Sequence, residues 1–471
     1  MQISEIYALA AGSVLAMLFV LRILYTLSFF PFRGICLFVL KNFVYPRFLH
    51  RSRLTNSISW YRVTVQAIYW SGTLVANFVR VNSISDAGLR AGTIAIVNFV
   101  PLLLATPFSM AANILGVSIY SYLQLHGSMA FMTVAQSVFH FSVILFKRKP
   151  SWKDPVYLSG LLAIIFYGLL LLLPLFRKIW YEIFLKTHYA LALLAAGYLW
   201  QHVKSTRGFD QVYILVAIGS LVATNLYRLL GIVYLNVRLN NWRNSELKYY
   251  LQASRLTIRL PRRMPISAGQ YIQLWAPGTS FWAFAQSHPF MISWWNHEQT
   301  EIHLLLQEQS RGGFVQKIRD RKEFKFLTWI DGPYGSPRDL SKFGTVFLIA
   351  SDIGIAAQLP HVRQILQACQ QYTALTRKLV LIWQFCNETD LDWIKDWMNE
   401  MIKIDETFIL KVLLYDSSSI SKSRKEGRKD SFEVKKGAVN VRELLTEQSG
   451  DCKGRIVVNG RFGEISSHYL H

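Results

Sequence analysis

The sequence predicts a multi-domain membrane protein, an all-α transmembrane bundle followed by a β-rich domain and an α/β domain. Three observations carry that expectation. The first half of the 471-residue chain is a series of apolar runs about 20 residues long, the length that crosses ~30 Å of hydrocarbon. Beyond about Asn241 the runs shorten, and apolar residues alternate with polar ones between Gly and Pro, which is a strand pattern. From Phe343 onward strand-like runs alternate with helix-like ones, as in a parallel nucleotide-type sheet.

Composition agrees. Apolar residues make up 52% of the chain and mean hydropathy is +0.24, high for a soluble protein. Charged residues are only 17%, yet 51 basic and 29 acidic side chains leave a net charge of +22. Such a balance suits nucleic acid or an anionic lipid surface. The long apolar runs select the lipid bilayer and leave no role for nucleic acid. Cys36, Cys369, Cys386 and Cys452 are scattered without a C-x-x-C pair. Neither a zinc site nor a disulfide framework is expected, and the soluble part fits a reducing compartment.

The apolar runs fall near Ile6–Phe29, Tyr61–Val81, Ala91–Val117, Ser121–Leu145, Val156–Phe176, Leu185–Val203 and Val212–Val237, seven in all. Met1–Glu5 holds no Lys or Arg, so the first run reads as a membrane anchor rather than a signal peptide. Arg33, Lys41, Arg47, Arg51 and Arg53 place the loop after it in the cytosol, with Arg177 and Lys178 on the same side. Lys147, Arg148, Lys149 and Lys153 would then face outward, so loop charge alone is divided. Short strand-like runs follow at Leu251–Leu260, Tyr271–Trp275 and Glu301–Leu306. Then come a strand Thr345–Ala350, a helix Gln358–Gln371, a strand Lys378–Trp383, a helix Leu391–Ile404 and a strand Phe408–Tyr415. Ser417–Lys436, rich in Ser, Lys and Arg, reads as a solvated, mobile insert.

Four histidines lie inside the apolar runs: His126 and His140 in the fourth, His188 and His202 in the sixth. Each pair is separated by fourteen positions. At ~100° per residue, the two side chains stay within ~40° of one helix face and ~21 Å apart along the axis. If the two helices run parallel, His126 meets His188 at one depth and His140 meets His202 at another. A planar haem takes one imidazole on each face of its iron, and two stacked sites of that kind result. A single intramembrane histidine would equally suit an interhelical hydrogen bond or a proton relay. The repeated spacing on two separate runs points to haem ligation, and no further ligand clusters there for zinc.

The paired H-x13-H motif resembles the ferric reductase and NADPH oxidase superfamily. Arg90-Ala91-Gly92-Thr93, Tyr181-Glu182-Ile183-Phe184 and the run to His188 look like the fungal ferric reductase pattern. The resemblance implies four segments: residues 1–87, N-terminal transmembrane segments with a cytosolic loop; 88–240, the haem domain; 241–341, an antiparallel FAD-binding β-barrel; and 342–471, a partial NADPH-binding α/β domain. Ala268-Gly269-Gln270-Tyr271-Ile272 and His288-Pro289-Phe290-Met291-Ile292 resemble the family's flavin segments, with Met291 where many relatives carry Thr. His288, Pro289 and Phe290 would meet the ring, and Ser310–Gly313, with Gly312 and Gly313, would approach the pyrophosphate. Asp331-Gly332-Pro333-Tyr334-Gly335 matches the GPYG that closes the barrel.

In the next domain Ser351, Asp352, Gly354 and Ile355 occupy the turn that faces the NADPH pyrophosphate in relatives, with Asp352 where glycine is usual. Gly460-Arg461 resembles the pair that holds the 2′-phosphate, with Phe462 in place of proline. Relatives continue beyond this point through a Cys-Gly-Pro segment, so truncation is expected and the nucleotide domain is expected to be partial. The implied activity is metalloreduction: electrons pass from NADPH through FAD and two b-type haems to an external ferric or cupric chelate. No side chain is expected to act as acid, base or nucleophile. The plasma membrane is the implied location, with the flavin domain cytosolic and, for seven spans, the N-terminus outside. A superoxide-generating NADPH oxidase shares these motifs, and a truncated non-catalytic member is the third reading.

Overall fold

The computed structural model describes residues 2–26, 38, 41–42, 46–49, 58–103, 108–147, 152–177, 181–204, 210–237, 244–250, 252–277, 287–307, 313–320, 324–417, 424–426, 432–450, 452 and 454–461. The chain forms two compact units, Met1–Tyr227 and Arg228–His471.

The first unit is helical. Its elements are α1 (Ile3–Thr26), the short antiparallel pair β1 (Arg47–Leu49) and β2 (Ile58–Ser59), α2 (Trp60–Phe78), α3 (Ile84–Leu103), α4 (Phe108–Leu115), α5 (Ile119–Lys147), α6 (Pro155–Leu172), α7 (Tyr181–Val203) and α8 (Asp210–Asn236). Asp154 caps α6 by accepting from the Val156 amide at 2.9 Å, with Pro155 at the first helical position, where no donor is lost. Six helices of the described residues are long and apolar enough to cross a membrane, at Ile3–Val20, Ile84–Leu103, Ile119–Lys147, Pro155–Phe176, Ile183–Val203 and Asp210–Asn236.

That count corrects the expected seven. The run Tyr61–Val81 is helical as α2, but Arg62, Thr64, Gln66, Ser71, Thr73 and Asn77 make it too polar to qualify. The expected span Ala91–Val117 is two helices, α3 and α4. Pro101 in the last turn of α3 and Pro107 before α4 each lack an amide donor and disfavour helix at the residue before them. The odd count, on which an outside N-terminus rested, is therefore not what these helices give. Of the loop charges, Arg33, Arg51, Arg53, Arg148, Lys149 and Lys178 lie outside the described residues.

Packing in this unit relies on small residues, which let helix backbones approach. Ala87, Ala91, Ile94 and Ala95 of α3 are buried, and a Cβ at Gly88 would lie 2.6 Å from Val143 Cγ1 of α5. Arg90 donates to the carbonyls of Ala76, Asn77, Val79 and Arg80, closing the C-terminal end of α2.

The second unit begins with the last turns of α8. Its first part holds β3 (Ser245–Tyr249), β4 (Ala253–Arg259), β5 (Tyr271–Trp275), β6 (His288–Met291), β7 (Trp294–Trp295), β8 (Glu301–Gln307), the short helix α9 (Phe314–Asp320), β9 (Lys325–Phe326) and β10 (Trp329–Tyr334). The strands form two antiparallel sheets, ordered β10-β5-β6 and β7-β8-β4-β3-β9. Alternate residues point inward, as a period of two requires, so Leu256, Ile258, Ile272, Leu274, Ile302 and Leu304 share one buried core.

The second part holds β11 (Thr345–Ser351), α10 (Ile355–Gln370), β12 (Lys378–Phe385), α11 (Lys395–Ile404), β13 (Leu410–Asp416), β14 (Arg424–Glu426), β15 (Phe432–Lys436), α12 (Val441–Ser449) and β16 (Ile456–Arg461). The sheet order is β14-β15-β13-β12-β11-β16, parallel apart from β14. The expectation of a loose insert at Ser417–Lys436 is corrected here. Phe432–Lys436 pairs with Val412–Asp416, and Arg424–Glu426 lines that strand's outer side. A charged strand suits a sheet edge, where one side faces water.

Tryptophan and arginine join the two parts of this unit. Arg255 of β4 lies over the Trp397 ring, 4.1 Å to its centroid, donates to the Trp393 carbonyl and pairs with Asp396 at 3.1 Å. Arg363 of α10 lies over Trp294 at 4.6 Å and donates to the Trp295 carbonyl. Trp294 and Trp397 are stacked, with centroids 5.8 Å apart. His303 sits in this seam, its Nδ1 2.9 Å from the Thr257 hydroxyl, with Glu301 at 3.4 Å and the Trp397 ring at 5.7 Å.

Burial, then Arg255 and Arg363, lowers the pKa of His303 to about 4, and burial, then Arg338, does the same to His361. Both therefore stay neutral in the fold, while an unfolded chain takes up the protons near 6.5. Their contribution is full above that value and is lost as pH falls toward 4, up to roughly 3 kcal/mol for each histidine. The unfolding midpoint of the full chain in detergent, read by tryptophan fluorescence, should be lower at about pH 5 than at about pH 7. His303→Gln should flatten that difference, and a midpoint independent of pH would contradict the assignment.

Candidate functional site

The four intramembrane histidines meet in pairs. His126 of α5 and His188 of α7 have ring centroids 6.3 Å apart, and so do His140 and His202 of the same two helices. Since residue order matches on both, α5 and α7 run in the same direction. Metal–imidazole bonds of about 2.0–2.1 Å, with the ring centre about 1 Å behind each nitrogen, put two imidazoles that share one metal roughly 6 Å apart. Among the described residues no group of three or more His, Cys, Asp or Glu side chains is gathered for a metal ion. Each pair thus offers two nitrogens and no more, which suits a metal whose other ligands come from a macrocycle.

The ring environments differ. His140 Nδ1 lies 2.8 Å from the Gly88 carbonyl and His202 Nδ1 lies 2.8 Å from the Val156 carbonyl. A carbonyl can only accept, so Nδ1 carries the proton and Nε2 keeps its lone pair for a metal. His126 and His188 have buried Nδ1 atoms with no hydrogen-bond partner among the described residues. Aromatic rings surround them instead: Phe108 lies 5.1 Å from His126 and Phe184 5.7 Å from His188.

In the second unit three distant sequence segments become neighbours. β5 pairs with β6, Tyr271 opposite Met291 and Ile272 opposite Phe290, and with β10, Asp331 opposite Gln273 and Tyr334 opposite Tyr271. The Ile292 amide donates to the Gln270 carbonyl at 3.1 Å, and the Gln270 side chain accepts from the Ser267 amide at 2.8 Å. Gly332 has φ +140°, and a Cβ there would meet the Tyr271 carbonyl at 3.3 Å, so only glycine fits between these strands. His288 stacks on Phe314 at 4.0 Å and Phe290 lies 5.9 Å from the same ring. Phe314 follows Gly313, the last residue of the expected pyrophosphate loop, and lies beside β6. Ser310 to Gly312 of that loop lie outside the described residues.

β10 is clamped from the side. Arg228 Nε donates to Asp331 Oδ2 at 2.7 Å, and the Tyr334 hydroxyl donates to Asp331 Oδ1 at 2.5 Å. Burial, then the Asp331 carboxylate, holds the Tyr334 phenol well above its ordinary pKa. Asn236 Nδ2 donates to the Ile330 carbonyl at 2.7 Å, and the Ile330 amide returns a bond to Asn236 Oδ1 at 2.8 Å.

In the parallel sheet the chain leaves β11 toward β12, β13 and β15, then returns to β16 on the other side of β11. The strand order reverses between β11 and β16, and open α/β sheets bind ligands outside the carboxyl ends of the strands at such a point. Ala350 pairs with Arg461 there, which sets Ser351, Asp352, Gly354 and Ile355 beside Gly460 and Arg461 at one edge. The Arg461 side chain and Phe462 lie outside the described residues.

Asp352 has φ +47°, a left-handed position that aspartate tolerates better than most residues, and it is 8% exposed. Cys386 Sγ donates to its Oδ1 at 3.1 Å, and Trp383 Nε1 to its carbonyl at 3.0 Å. Burial raises the Asp390 carboxyl, with Asp352 adding to the rise. The edge therefore carries two neighbouring carboxylates where the resemblance expects phosphate.

Two family profiles match the chain. "Ferric reductase like transmembrane component" covers residues 91–199, which include His126, His140 and His188 and end three residues before His202, and "Ferric reductase NAD binding domain" covers residues 343–452. The chain is 24% identical over 374 residues to the "Probable cell surface ferric reductase kap2" of Aspergillus oryzae, covering 72% of this chain and 48% of that protein. It is 28% identical over 258 residues to "Ferric/cupric reductase transmembrane component 7" of Saccharomyces cerevisiae, covering 52% and 40%. These matches support a ferric reductase-like transmembrane protein. It spans about half the length of the first of these relatives and less of the second.

Sequence reading of this ferric reductase-like protein missed several residues at the sites. Phe314 carries no motif, only its place after Gly313. Arg228 sits in an apolar helix and finds Asp331 103 positions away. His361 of α10, whose Nε2 would lie 3.3 Å from a Cβ at Gly269, looks in sequence like any helix residue.

Proposed function

We propose that this chain moves electrons from NADPH, through FAD and two b-type haems, to a ferric or cupric chelate on the far side of a membrane. The two imidazole pairs at 6.3 Å carry the reading. His126 and His188 would hold the inner haem, which takes electrons from the flavin, and His140 and His202 the outer one. Bound flavin turns a two-electron donor into one-electron steps, and haem relays single electrons, which is the chemistry such a reductase needs. The chain's own residues position these groups. β5, β6 and β10, with Gly269, Gln270, Tyr271, His288, Pro289, Phe290, Met291, Gly313, Gly332 and Gly335, would form the flavin face. The edge at Ser351–Ile355 and Gly460–Arg461 would take the dinucleotide, with the amides at the start of α10 aimed at its phosphates.

The test is purification in detergent, a pyridine haemochrome count, extraction of flavin, and an NADPH-driven assay of ferric-chelate reduction beside superoxide formation. Two haems, FAD and chelate reduction insensitive to superoxide dismutase are expected. Superoxide as the main product would move the protein to the oxidase reading, and absence of haem would overturn both.

The buried Asp352 carboxylate gives a further expectation. Two unit charges ~4 Å apart exchange about 4 kcal/mol at an effective dielectric near 20, and solvent with basic neighbours reduces that. Asp352→Gly, which also suits φ +47°, should tighten NADPH binding roughly tenfold as measured by calorimetry. Unchanged affinity would place the pyrophosphate elsewhere.

A further inference from the structure

The two histidine pairs are backed differently, and the difference repeats on two pairs of helices. A Cβ at Gly92 of α3 would lie 2.9 Å from His140 Nδ1, and a Cβ at Gly160 of α6 would lie 2.7 Å from His202 Nδ1. In each case the carbonyl that holds the ring nitrogen, Gly88 or Val156, sits four residues, one helical turn, before the glycine. A side chain at either glycine would push the imidazole off its carbonyl. Among the described residues neither feature recurs at His126 and His188, and their Nδ1 atoms are buried without a partner.

We infer that Gly92 and Gly160 are positioning residues for the His140–His202 site, and that this site has the lower reduction potential of the two. The inference rests on the reading that the four histidines hold haem. Each glycine leaves room for the ring to donate its Nδ1 proton to a main-chain carbonyl. That bond fixes the tautomer and the ring plane, and it makes Nε2 a stronger electron donor. A stronger donor favours the more positive, oxidised iron, which lowers the potential. Among the described residues the His126–His188 pair has no such bond, and so none of its effect.

The experiment uses the full chain in detergent and reads haem per protein and the spectropotentiometric midpoints. Unsubstituted protein should hold two haems with two resolved midpoints. Gly92→Ala and Gly160→Ala should each lose the lower-potential haem, or keep it with its midpoint raised, and leave the higher midpoint unmoved. Gly127→Ala and Gly168→Ala, where nothing lies within 4 Å of an added Cβ, should keep both haems and both midpoints. His140→Ala supplies a reading that does not depend on the glycine variants, since its remaining haem should titrate at the higher midpoint. The inference is overturned if Gly92→Ala and Gly160→Ala keep two haems at unshifted midpoints, or if the haem left in His140→Ala titrates at the lower one. Unsubstituted protein without haem would instead overturn the haem reading itself.

Discussion

Alanine at His140 or His202 should halve the haem content and abolish chelate reduction while leaving NADPH oxidation by a soluble acceptor intact. The two imidazole pairs lie fourteen residues apart on α5 and α7, ~21 Å along a helix. Removing one pair leaves a gap that a single relay cannot bridge at a useful rate. Chelate reduction should therefore fall by orders of magnitude, far more than a two-fold loss of cofactor suggests. Ferricyanide reduced at the flavin domain is the internal control, since it needs neither pair. A His140→Ala protein that retains two haems would show that the ring serves packing alone.

Asp331→Ala should be the most damaging single change in the second unit. The carboxylate is buried and accepts from Arg228 and from Tyr334, while the Arg228 guanidinium lies 5.3 Å from the centre of the Trp275 ring. Deleting it leaves a part-buried guanidinium without its counter-charge and a buried phenol without an acceptor, at a cost of roughly 3–5 kcal/mol. The unfolding midpoint in detergent should drop, and flavin should be lost early, because β10 carries Gly332 and Gly335 beside β5. Asp331→Asn keeps an acceptor and should fall between the two. An unchanged midpoint in the alanine variant would mean that the clamp is incidental.

Where the determinants are local, the sequence was readable. Tyr271–Trp275 was placed to the residue because its alternation is strict and a glycine turn precedes it. The parallel sheet followed from strand-like runs alternating with helix-like ones, and its strand Thr345–Ser351 is buried throughout. Other features depend on partners far along the chain. A strand in the basic insert forms because Val412–Asp416 offers it an edge, and nothing within Phe432–Lys436 announces that. The break between α3 and α4 was signalled by Pro101 and Pro107, but the apolar run concealed it. At the histidines, spacing gave the residues and the pairing order. It said nothing of Gly88, Val156 or Gly160, whose main-chain positions matter more than their side chains.

The tryptophan and arginine seam has a consequence for how the second unit melts. Arg255 belongs to the antiparallel part, lies over the Trp397 ring and donates to the Trp393 carbonyl, while Arg363 belongs to the parallel part and lies over Trp294 and Trp295. Each part thus lends one guanidinium to the indoles of the other. Separation would strand both cations and bare the rings of Trp294, Trp295 and Trp397, so neither part can open while the other stays folded. Hydrogen exchange across β4, β8, α10 and β12 should then follow a single opening event, because a cofactor-based division near residue 341 is not a division of cooperativity.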